Sequence, residues 1–267
     1  MLMNCFTMIE LKKIFKSYAA TPVLKNISFN LERDKFTAII GPNGCGKTTL
    51  LKIVAGWEQA DQGALEFSTD GKLARPKFGF IFQEHKASLF PWLSVEKNIA
   101  FALKSAKIFN ESSAAFFDAK KITLGKNELL EKILNDLNLQ AYRKKFPYQL
   151  SGGIAQLTAI GRALAFQPDI FLLDEPFSQL DYYTSLKAQQ LFINIWEKNK
   201  IPALLVTHSI EEAILLADKI IILSKKPAGI IQTIDIDLAR PRRISQIATP
   251  SFLEYQRVIL QQINSHL

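Results

Sequence analysis

A short apolar strand followed by a glycine-rich loop constrains the fold of this chain more than any other feature. The apolar stretch is Phe36–Ile40, and residues 41–49 continue as Gly-Pro-Asn-Gly-Cys-Gly-Lys-Thr-Thr. Lys47 begins a stretch with the pattern of a helix, which Gly56 is suited to end as its C-cap. Glycines allow consecutive backbone N–H groups to point inward, and a helix N-terminus adds partial positive charge. The stretch therefore predicts a phosphate-binding loop.

Two side chains at the end of this loop have separate expected roles. Lys47 can reach the β- and γ-phosphates of a nucleotide, and Thr48 can hold Mg²⁺. The alternative, an ordinary glycine turn beside a surface lysine, does not account for the strand before the loop and the helix after it. We therefore expect a nucleoside triphosphate to bind here, in contact with Gly41, Pro42, Asn43, Gly44, Cys45, Gly46, Lys47, Thr48 and Thr49.

A second signal is a pair of acids at the end of an apolar strand. Residues 170–173 are apolar, and Asp174 and Glu175 follow them. Ligands of open α/β sheets bind at the carboxyl edge of the strands. Asp174 is placed to hold Mg²⁺, and Glu175 to orient and deprotonate an attacking water. The alternative, a salt-bridged pair with a structural role, is disfavoured because a buried acid pair contributes little stability.

A third signal is the Leu-Ser-Gly-Gly stretch at residues 150–153. Ser151 is a natural N-cap, and the two glycines expose backbone donors at the start of a helix, which favours an anion. Such a short motif is also common in ordinary loops. Its meaning depends on the motifs around it.

The order of predicted elements indicates an α/β fold. Residues 8–40 and 63–83 have strand patterns, residues 88–150 are mostly helical, and strands alternate with helices after residue 151. We expect a P-loop ATPase core with a mostly parallel sheet, an N-terminal antiparallel β part and a helical arm. The predicted domains are a nucleotide-binding core with a β subdomain at 1–87 and 151–245, a helical subdomain at 88–150 and a C-terminal helix at 246–267.

Composition limits the setting in which this chain works. The formal net charge of +8 permits attraction to nucleic acid or to an anionic membrane surface and selects neither. No apolar run reaches the roughly 18–20 residues needed to span a bilayer, and the N-terminus lacks a secretory pattern, so we expect a cytoplasmic location. Cys5 and Cys45 are expected to be free reduced thiols.

Six motifs in one order resemble those of a known family, the ATP-binding subunits of ABC transporters. They are the loop at 41–49, the lone Gln83, Leu-Ser-Gly-Gly at 150–153, Phe-Leu-Leu-Asp-Glu-Pro at 171–176, Ser-Gln-Leu-Asp at 178–181 and Val-Thr-His-Ser at 206–209. The resemblance covers roughly residues 8–245. It implies an ATPase that uses ATP and Mg²⁺.

The resemblance assigns catalytic and metal-binding roles to single residues. Glu175 matches the general base, and His208 matches the histidine that contacts the γ-phosphate. Gln83 matches a glutamine that contacts Mg²⁺ and the attacking water and senses the membrane partner. Thr48 and Asp174 match the other magnesium-binding positions.

The resemblance also implies a site shared between two subunits. Ser151, Gly152 and Gly153 match the turn that clasps the γ-phosphate of ATP held by the opposite subunit. Asp181 resembles the aspartate that crosses the dimer interface. Tyr18 lies where the family stacks an aromatic ring on adenine, with Phe15 as the second choice.

One branch of the family is more similar than the others. The stretches at 82–84, 89–95 and 240–242 resemble importers of nitrate, sulfonate, taurine and related solutes. The chain departs from the family at Ala155 and Leu157, where basic residues are common, and at Gln179, where a small residue is usual.

Because Cys45 lies in the phosphate loop, we expect alkylation of its thiol to block ATP hydrolysis and bound ATP to protect the thiol from alkylation.

The expected function is therefore an ATPase subunit that powers solute import through integral membrane permease subunits. It would act as a homodimer, or paired with a similar subunit, at the cytoplasmic face of the inner membrane, and indirectly serve a periplasmic or surface solute-binding protein. The alternative is a nucleic-acid-associated ATPase of the same family, which the basic charge permits. Only 104 residues separate Lys47 from Ser151, too few for the long coiled coils of such proteins, so we expect no nucleic-acid partner.

Overall fold

The computed structural model describes residues 6–69, 76–84, 88–112 and 126–265. Cys5 and residues 113–125 lie outside this part of the chain. The strands are β1 (Phe6–Tyr18), β2 (Thr21–Glu32), β3 (Phe36–Ile40), β4 (Gln62–Thr69), β5 (Phe78–Ile81), β6 (Ile170–Asp174), β7 (Ala203–Thr207), β8 (Lys219–Leu223) and β9 (Ile230–Asp235). The helices are α1 (Lys47–Ala55), α2 (Val95–Ser112), α3 (Lys126–Asp136), α4 (Gly152–Ala165), α5 (Tyr182–Asn199), α6 (Ile210–Leu216) and α7 (Pro250–Ser265), with short 3₁₀ turns at Gln140–Tyr142, Pro147–Gln149 and Ile244–Ala248.

The larger sheet has the strand order β5-β6-β7-β3-β8-β9. Its neighbours from β5 to β8 pair in parallel, and β9 pairs antiparallel to β8. All five residues of β3 are buried, as the continuous apolar run predicts for a strand covered on both faces. The mostly parallel sheet is confirmed. Its carboxyl edge brings the phosphate loop after β3 close to the ends of β6 and β7.

A second sheet with the order β2-β1-β4 is antiparallel throughout, which confirms the predicted N-terminal antiparallel part. Ile9 and Leu11 of this sheet share an apolar cluster with Leu50 and Leu51 of α1 and with Ile39 of the larger sheet. Helix α1 is therefore packed between the two sheets. This packing fixes the first turn of α1, and with it the phosphate loop.

The arm between β5 and β6 packs through apolar residues that recur at helical spacing in and just after α3. Leu130, Ile133, Leu134 and Leu137 are all buried. Helices α2 and α3 meet α4 closely at Gly161, where an added Cβ would lie 3.1 Å from Ile99 of α2 and 3.2 Å from Ile133 of α3. Ser94 is a suitable N-cap, and the sequence pattern after it predicts a helix to about residue 104, whereas the observed helix α2 continues to Ser112. The limits of the domains stay a prediction.

Two arginines of the tail hold the C-terminal end of α6. Arg242 is 1% exposed, and its guanidinium donates to the carbonyls of Ile214 and Ala217 and, at 2.9 Å, to that of Ile236. Burial lowers the pKa of Arg242 to about 10. Arg240 donates to Leu216 O at 3.0 Å. Carbonyls at a helix C-terminus have no partner within the helix, so these contacts satisfy groups that water does not reach.

Candidate active site

The phosphate loop folds tightly against β2. Gly44 and Gly46 have φ angles of 74° and 117°, in the left-handed region that glycine adopts without steric cost. An added Cβ at Gly46 would lie 2.8 Å from Val23 Cγ1 and 2.9 Å from Leu24 Cδ2. Both the backbone conformation and the close approach therefore require glycine at this position.

Lys47 is buried and its ammonium group lies inside the loop. Nζ donates to Gly41 O at 2.8 Å and to Pro42 O at 3.1 Å. The two carbonyls hold the positive charge inside the loop, and phosphate oxygens are better acceptors for it than carbonyls. When a phosphate group binds, the Lys47 ammonium group can therefore exchange these carbonyl acceptors for phosphate oxygens.

A cavity of about 560 Å³ lies over this loop. This volume is within the range of sites for small molecules and cofactors. Ten of its lining residues were predicted from the sequence: Tyr18, Asn43, Gly44, Gly46, Lys47, Thr48, Thr49, Gln83, Glu175 and His208. The other four lining residues have no predicted contact with a nucleotide: Val23, Ser178, Gln179 and Lys226.

Thr48 lines the cavity and contacts Asp174, which does not line it. Thr48 Oγ1 donates to Asp174 Oδ1 at 3.0 Å. Burial raises the pKa of Asp174, the Thr48 hydrogen bond opposes this shift, and the charge of Glu175 adds to it. A bound cation would offset the cost of the buried charge.

The oxygen-rich donor set fits Mg²⁺. It comprises the Thr48 hydroxyl, one carboxylate and the amide oxygen of Gln83. The described ranges contain no group of three or more His, Cys, Asp or Glu residues able to hold a metal. Mg²⁺ commonly binds through one or two protein oxygens together with water and substrate phosphates. The residues present therefore suit a metal ion that arrives with a nucleotide.

Two of the predicted catalytic residues, Gln83 and His208, converge on one carboxylate oxygen of the third, Glu175. Glu175 Oε2 lies 3.0 Å from His208 Nδ1 and 3.5 Å from Gln83 Nε2. Ser178 joins this group, since its Oγ lies 3.4 Å from Gln83 Nε2 and donates to the carbonyl of Glu175 at 2.9 Å. The cluster forms because β5, β6 and β7 are neighbours in the sheet and end at the same edge.

The backbone of Glu175 is itself unusual. Its φ angle of 45° is in the left-handed region, which costs a non-glycine residue about 1–2 kcal/mol. Its N–H donates to Val206 O at 2.9 Å, which holds the residue against β7. Strain of this kind concentrates at functional sites, where the surrounding structure keeps a side chain in one orientation.

A buried hydrogen-bond network lies behind His208. Thr207 Oγ1 donates to Glu212 Oε2 at 2.6 Å and accepts from the N–H of Ser209 at 3.1 Å. Ser209 Oγ in turn accepts from the N–H of Glu212 at 3.2 Å, so Ser209 is the N-cap of α6. Burial raises the pKa of Glu212 from its ordinary value of 4.5 to about 7, with the Thr207 bond opposing the shift and Glu175 adding to it. The network fixes the backbone on both sides of His208.

The Ser-Gly-Gly turn and Asp181 lie together but do not line the cavity. Ser151 caps α4, where its side chain accepts from Ile154 N at 3.4 Å. Asp181 caps α5, and the hydrogen bond from Thr184 lowers the pKa of its carboxyl. An added Cβ at Gly153 would lie 2.3 Å from Thr184 Cγ2, so the turn packs directly on the start of α5. The Ser-Gly-Gly turn and Asp181 therefore lie on a different surface of the chain from the phosphate cavity.

The two aromatic candidates for adenine stacking have different positions. Tyr18 lies in the cavity wall with its ring half-exposed, and its hydroxyl donates to Glu58 at 2.5 Å. Phe15, the second choice, lines a different groove between the antiparallel sheet and the β8–β9 edge. The structure therefore brings Tyr18, and not Phe15, to the phosphate loop.

Cys45 faces the protein interior. Its side chain is 1% exposed, and burial raises the pKa of the thiol. An added Cβ at Gly41 would lie 3.1 Å from Cys45 Sγ, which places the sulfur under the loop and away from the cavity. A buried thiol with a raised pKa reacts slowly, so the structure disfavours the expected block of ATP hydrolysis by alkylation, which stays a prediction. Gly41, Pro42 and Cys45 also do not line the cavity, although the first two hold Lys47 through their carbonyls.

The fold and the cavity define a P-loop ATPase. A family model described as ABC transporter matches residues 24–178, and the chain belongs to that family. The chain is 41% identical over 259 residues to "Aliphatic sulfonates import ATP-binding protein SsuB" of Bacillus anthracis, which covers 95% of this chain and 93% of that protein. It is 37% identical over 243 residues to the protein of the same name from Bacillus subtilis (strain 168), covering 90% and 86%.

Solved structures agree with this family. The chain is similar to the dimeric ATP-binding cassette MJ0796 bound to ADP and Pi, with a TM-score of 0.67 and 28% identity over 86% of this chain and 100% of that chain. It shares the fold of cbiO1 from Clostridium perfringens, with a TM-score of 0.72 at 22% identity over 98% of this chain and 96% of that chain.

Proposed function

We propose that this chain is the ATP-hydrolysing subunit of a membrane importer for a small solute of the nitrate, sulfonate or taurine type. One observation carries the proposal: the carboxylate of Glu175 lies beside the phosphate loop and is shared by His208 and Gln83. The similarity to proteins named for aliphatic sulfonate import, over 95% of this chain, supports the solute class.

The cavity suggests how the chain acts on ATP. Lys47 would bind the β- and γ-phosphates, the loop amides would cradle the α- and β-phosphates, and Tyr18 lies where the adenine is expected. Mg²⁺, held by Thr48 and Asp174, would neutralise charge that develops on the phosphate oxygens. Glu175 accepts a proton from the attacking water, while Gln83 and His208 orient its carboxylate. With Nδ1 of His208 protonated, the histidine donates to Glu175 and holds it towards the phosphate edge.

The active site is completed by a second copy of the chain or by a similar subunit. Ser151, Gly153 and Asp181 lie outside the cavity of their own chain, yet the turn presents backbone donors suited to an anion. If two copies of the chain face each other, the turn of one copy would lie on the γ-phosphate of the nucleotide bound by the other copy. The dimeric cassette MJ0796, which is similar in structure, supports this arrangement. ATP binding would then join the subunits, and hydrolysis would release them.

An aromatic groove supports docking to an integral membrane permease. The groove has a volume of about 350 Å³ and is lined by Phe78, Phe80, Phe90, Phe101 and Phe166, among others. Trp57 and Trp92 nearby are 57% and 69% exposed. Aromatic side chains dominate the energetic centre of protein interfaces. A short helix of a permease would fit this groove.

The groove is continuous with the catalytic cluster. Trp57 stacks on Phe80 with ring centroids 4.5 Å apart, and Phe80 contacts Phe82 at 4.4 Å. Gln83 follows directly and reaches Glu175. A partner that moves this aromatic cluster would therefore move the glutamine. No helix in the described part of the chain is long and apolar enough to cross a membrane. Docking to a permease would hold the protein at the cytoplasmic face of the membrane, with a solute-binding protein as an indirect partner.

Solute uptake in the host tests this proposal. Deleting the gene should abolish uptake of a labelled alkanesulfonate, and wild type or Glu211→Gln should restore it, because Glu211 does not line the cavity. Glu175→Gln should not restore it, since the general base is lost. Unchanged uptake after deletion would reject the solute class, and rescue by Glu175→Gln would reject the catalytic role.

None of the similar proteins and solved structures described above favours the alternative of a nucleic-acid-associated ATPase.

A further inference from the structure

The nucleotide cavity contains a lysine that belongs to none of the sequence motifs. Lys226 lies in the turn between β8 and β9 and lines the cavity together with Tyr18, Val23 and the phosphate loop. Its side chain is exposed to the cavity and solvent. A cation in the wall of a site for a polyanion is a candidate ligand-binding group.

Backbone hydrogen bonds hold this turn against β2. Ala228 N–H donates to Val23 O at 2.8 Å, and Lys25 N–H donates to Ala228 O at 2.8 Å. Val23 also contacts the phosphate loop, since its Cγ1 would lie 2.8 Å from a Cβ added at Gly46. The turn and the phosphate loop therefore pack on the same residue. This shared support fixes Lys226 at the Tyr18 side of the cavity.

The charge of Lys226 is available to a ligand. The other lysine beside Tyr18 is Lys16, which is already paired with Asp61 at 3.1 Å and Glu58 at 3.6 Å. Within residues 6–69, 76–84, 88–112 and 126–265, no carboxylate lies within ion-pair distance of Lys226. Binding an anion would therefore not require breaking an existing ion pair.

We infer that Lys226 binds the α-phosphate of the nucleotide. This inference rests on the proposed function and adds a residue to its site. Lys47 reaches the β- and γ-phosphates, and the loop amides cradle the α- and β-phosphates. Tyr18 lies where the adenine is expected, so the α-phosphate lies between Tyr18 and Lys47, where Lys226 would add a charged side chain to the backbone donors. Lys226 is on that side of the cavity, and Glu175 and His208 are on the γ-phosphate side.

Nucleotide affinity of three single variants tests the inference. Lys226→Gln removes the charge, Lys226→Arg keeps it, and Lys225→Gln removes a charge from the preceding exposed residue, which does not line the cavity. Dissociation constants are measured for ADP and for a non-hydrolysable ATP analogue, both with Mg²⁺. Lys226→Gln should weaken both nucleotides by the same factor, about tenfold, because both carry the α-phosphate. Lys226→Arg should bind nearly as the wild type does, and Lys225→Gln should change affinity by less than about twofold.

Each other outcome overturns the inference. Unchanged affinity in Lys226→Gln would show that the side chain does not contact nucleotide. Loss confined to the ATP analogue would place the lysine at the γ-phosphate. Equal losses in Lys225→Gln would indicate a general effect of positive charge. In all three cases wild type still binds nucleotide, so the proposed function stands; failure of the wild type to bind either nucleotide would reject the proposed function instead.

Discussion

Replacing Glu212 by glutamine should make the stability of the fold less sensitive to pH. The carboxyl is 4% exposed behind His208, and one of its oxygens has no hydrogen-bond partner among the described residues. Burial raises its pKa from 4.5 to about 7. Since the folded state holds this proton more tightly than the unfolded state, the stability due to the neutral carboxyl is complete below about pH 4.5 and falls as the pH rises through about 7. A glutamine keeps an oxygen that accepts from Thr207 and cannot ionise.

The size of the effect follows from the shift in pKa. One pKa unit corresponds to about 1.4 kcal/mol, so ionisation costs about 3 kcal/mol well above pH 7. At pH 5.5 the cost is a little over about 1 kcal/mol, because the folded carboxyl keeps its proton and the pH is only one unit above the pKa of the unfolded carboxyl. Between about pH 5.5 and pH 8 the wild type should therefore lose about 2 kcal/mol relative to Glu212→Gln. For a chain of this size that corresponds to a relative change in Tm of about 4–8 °C.

Thermal unfolding at the two pH values, without nucleotide, measures this difference. The comparison uses the change in Tm with pH, so a constant offset from the substitution cancels. Glu211→Gln removes a neighbouring, more exposed carboxyl and should follow the wild type at both values. If Glu212→Gln also follows the wild type, the carboxyl is not a buried neutral group and the reasoning is refuted.

Three further predictions concern the phosphate loop and the tail. Lys47→Ala should weaken binding of fluorescent ATP at least about tenfold, through loss of a charge-assisted contact, and unchanged binding would count against the loop. In a Cys5→Ser background, iodoacetamide should label Cys45 slowly in the folded protein and rapidly in denaturant, because the thiol is buried and its pKa is raised; rapid labelling of native protein would contradict this. Arg242→Met should lower the free energy of unfolding in urea by about 3 kcal/mol, since three carbonyls lose a buried donor. Arg257→Met, which breaks an exposed ion pair on α7, should cost less than about 1 kcal/mol, and an equal effect of both would reject the role of the buried arginine.

Features that depend on short stretches of chain could be predicted from the sequence. The strand, loop and helix around Lys47 follow from an apolar run, glycines and a C-cap at Gly56, where the observed helix ends in a left-handed residue. The position of the acid pair at the end of β6 could be predicted in the same way, because the apolar residues of a strand and the residues at its carboxyl end are neighbours in the sequence. The mostly parallel sheet could be predicted because strands and helices alternate.

Features that depend on strand order could not be predicted from local patterns. The meeting of Gln83, Glu175 and His208 on one oxygen requires β5, β6 and β7 to be neighbours. Lys226 reaches the cavity only because the turn after β8 pairs with β2. Cys45 lies within a ligand-binding loop, yet the fold of that loop directs its side chain into the core. The far end of α2 was missed because residues near 107–112 have no clear helical period.

The central claim is that two copies of this chain enclose ATP between them. Sedimentation of Glu175→Gln with ATP and Mg²⁺ tests it most directly, because loss of the general base should let ATP stay bound and hold the closed pair. The mass should rise from that of the 30.1 kDa chain to about twice that value, and Lys47→Ala added to the same variant should abolish the change. A Glu175→Gln protein that binds ATP and remains a single chain at every concentration would contradict the account.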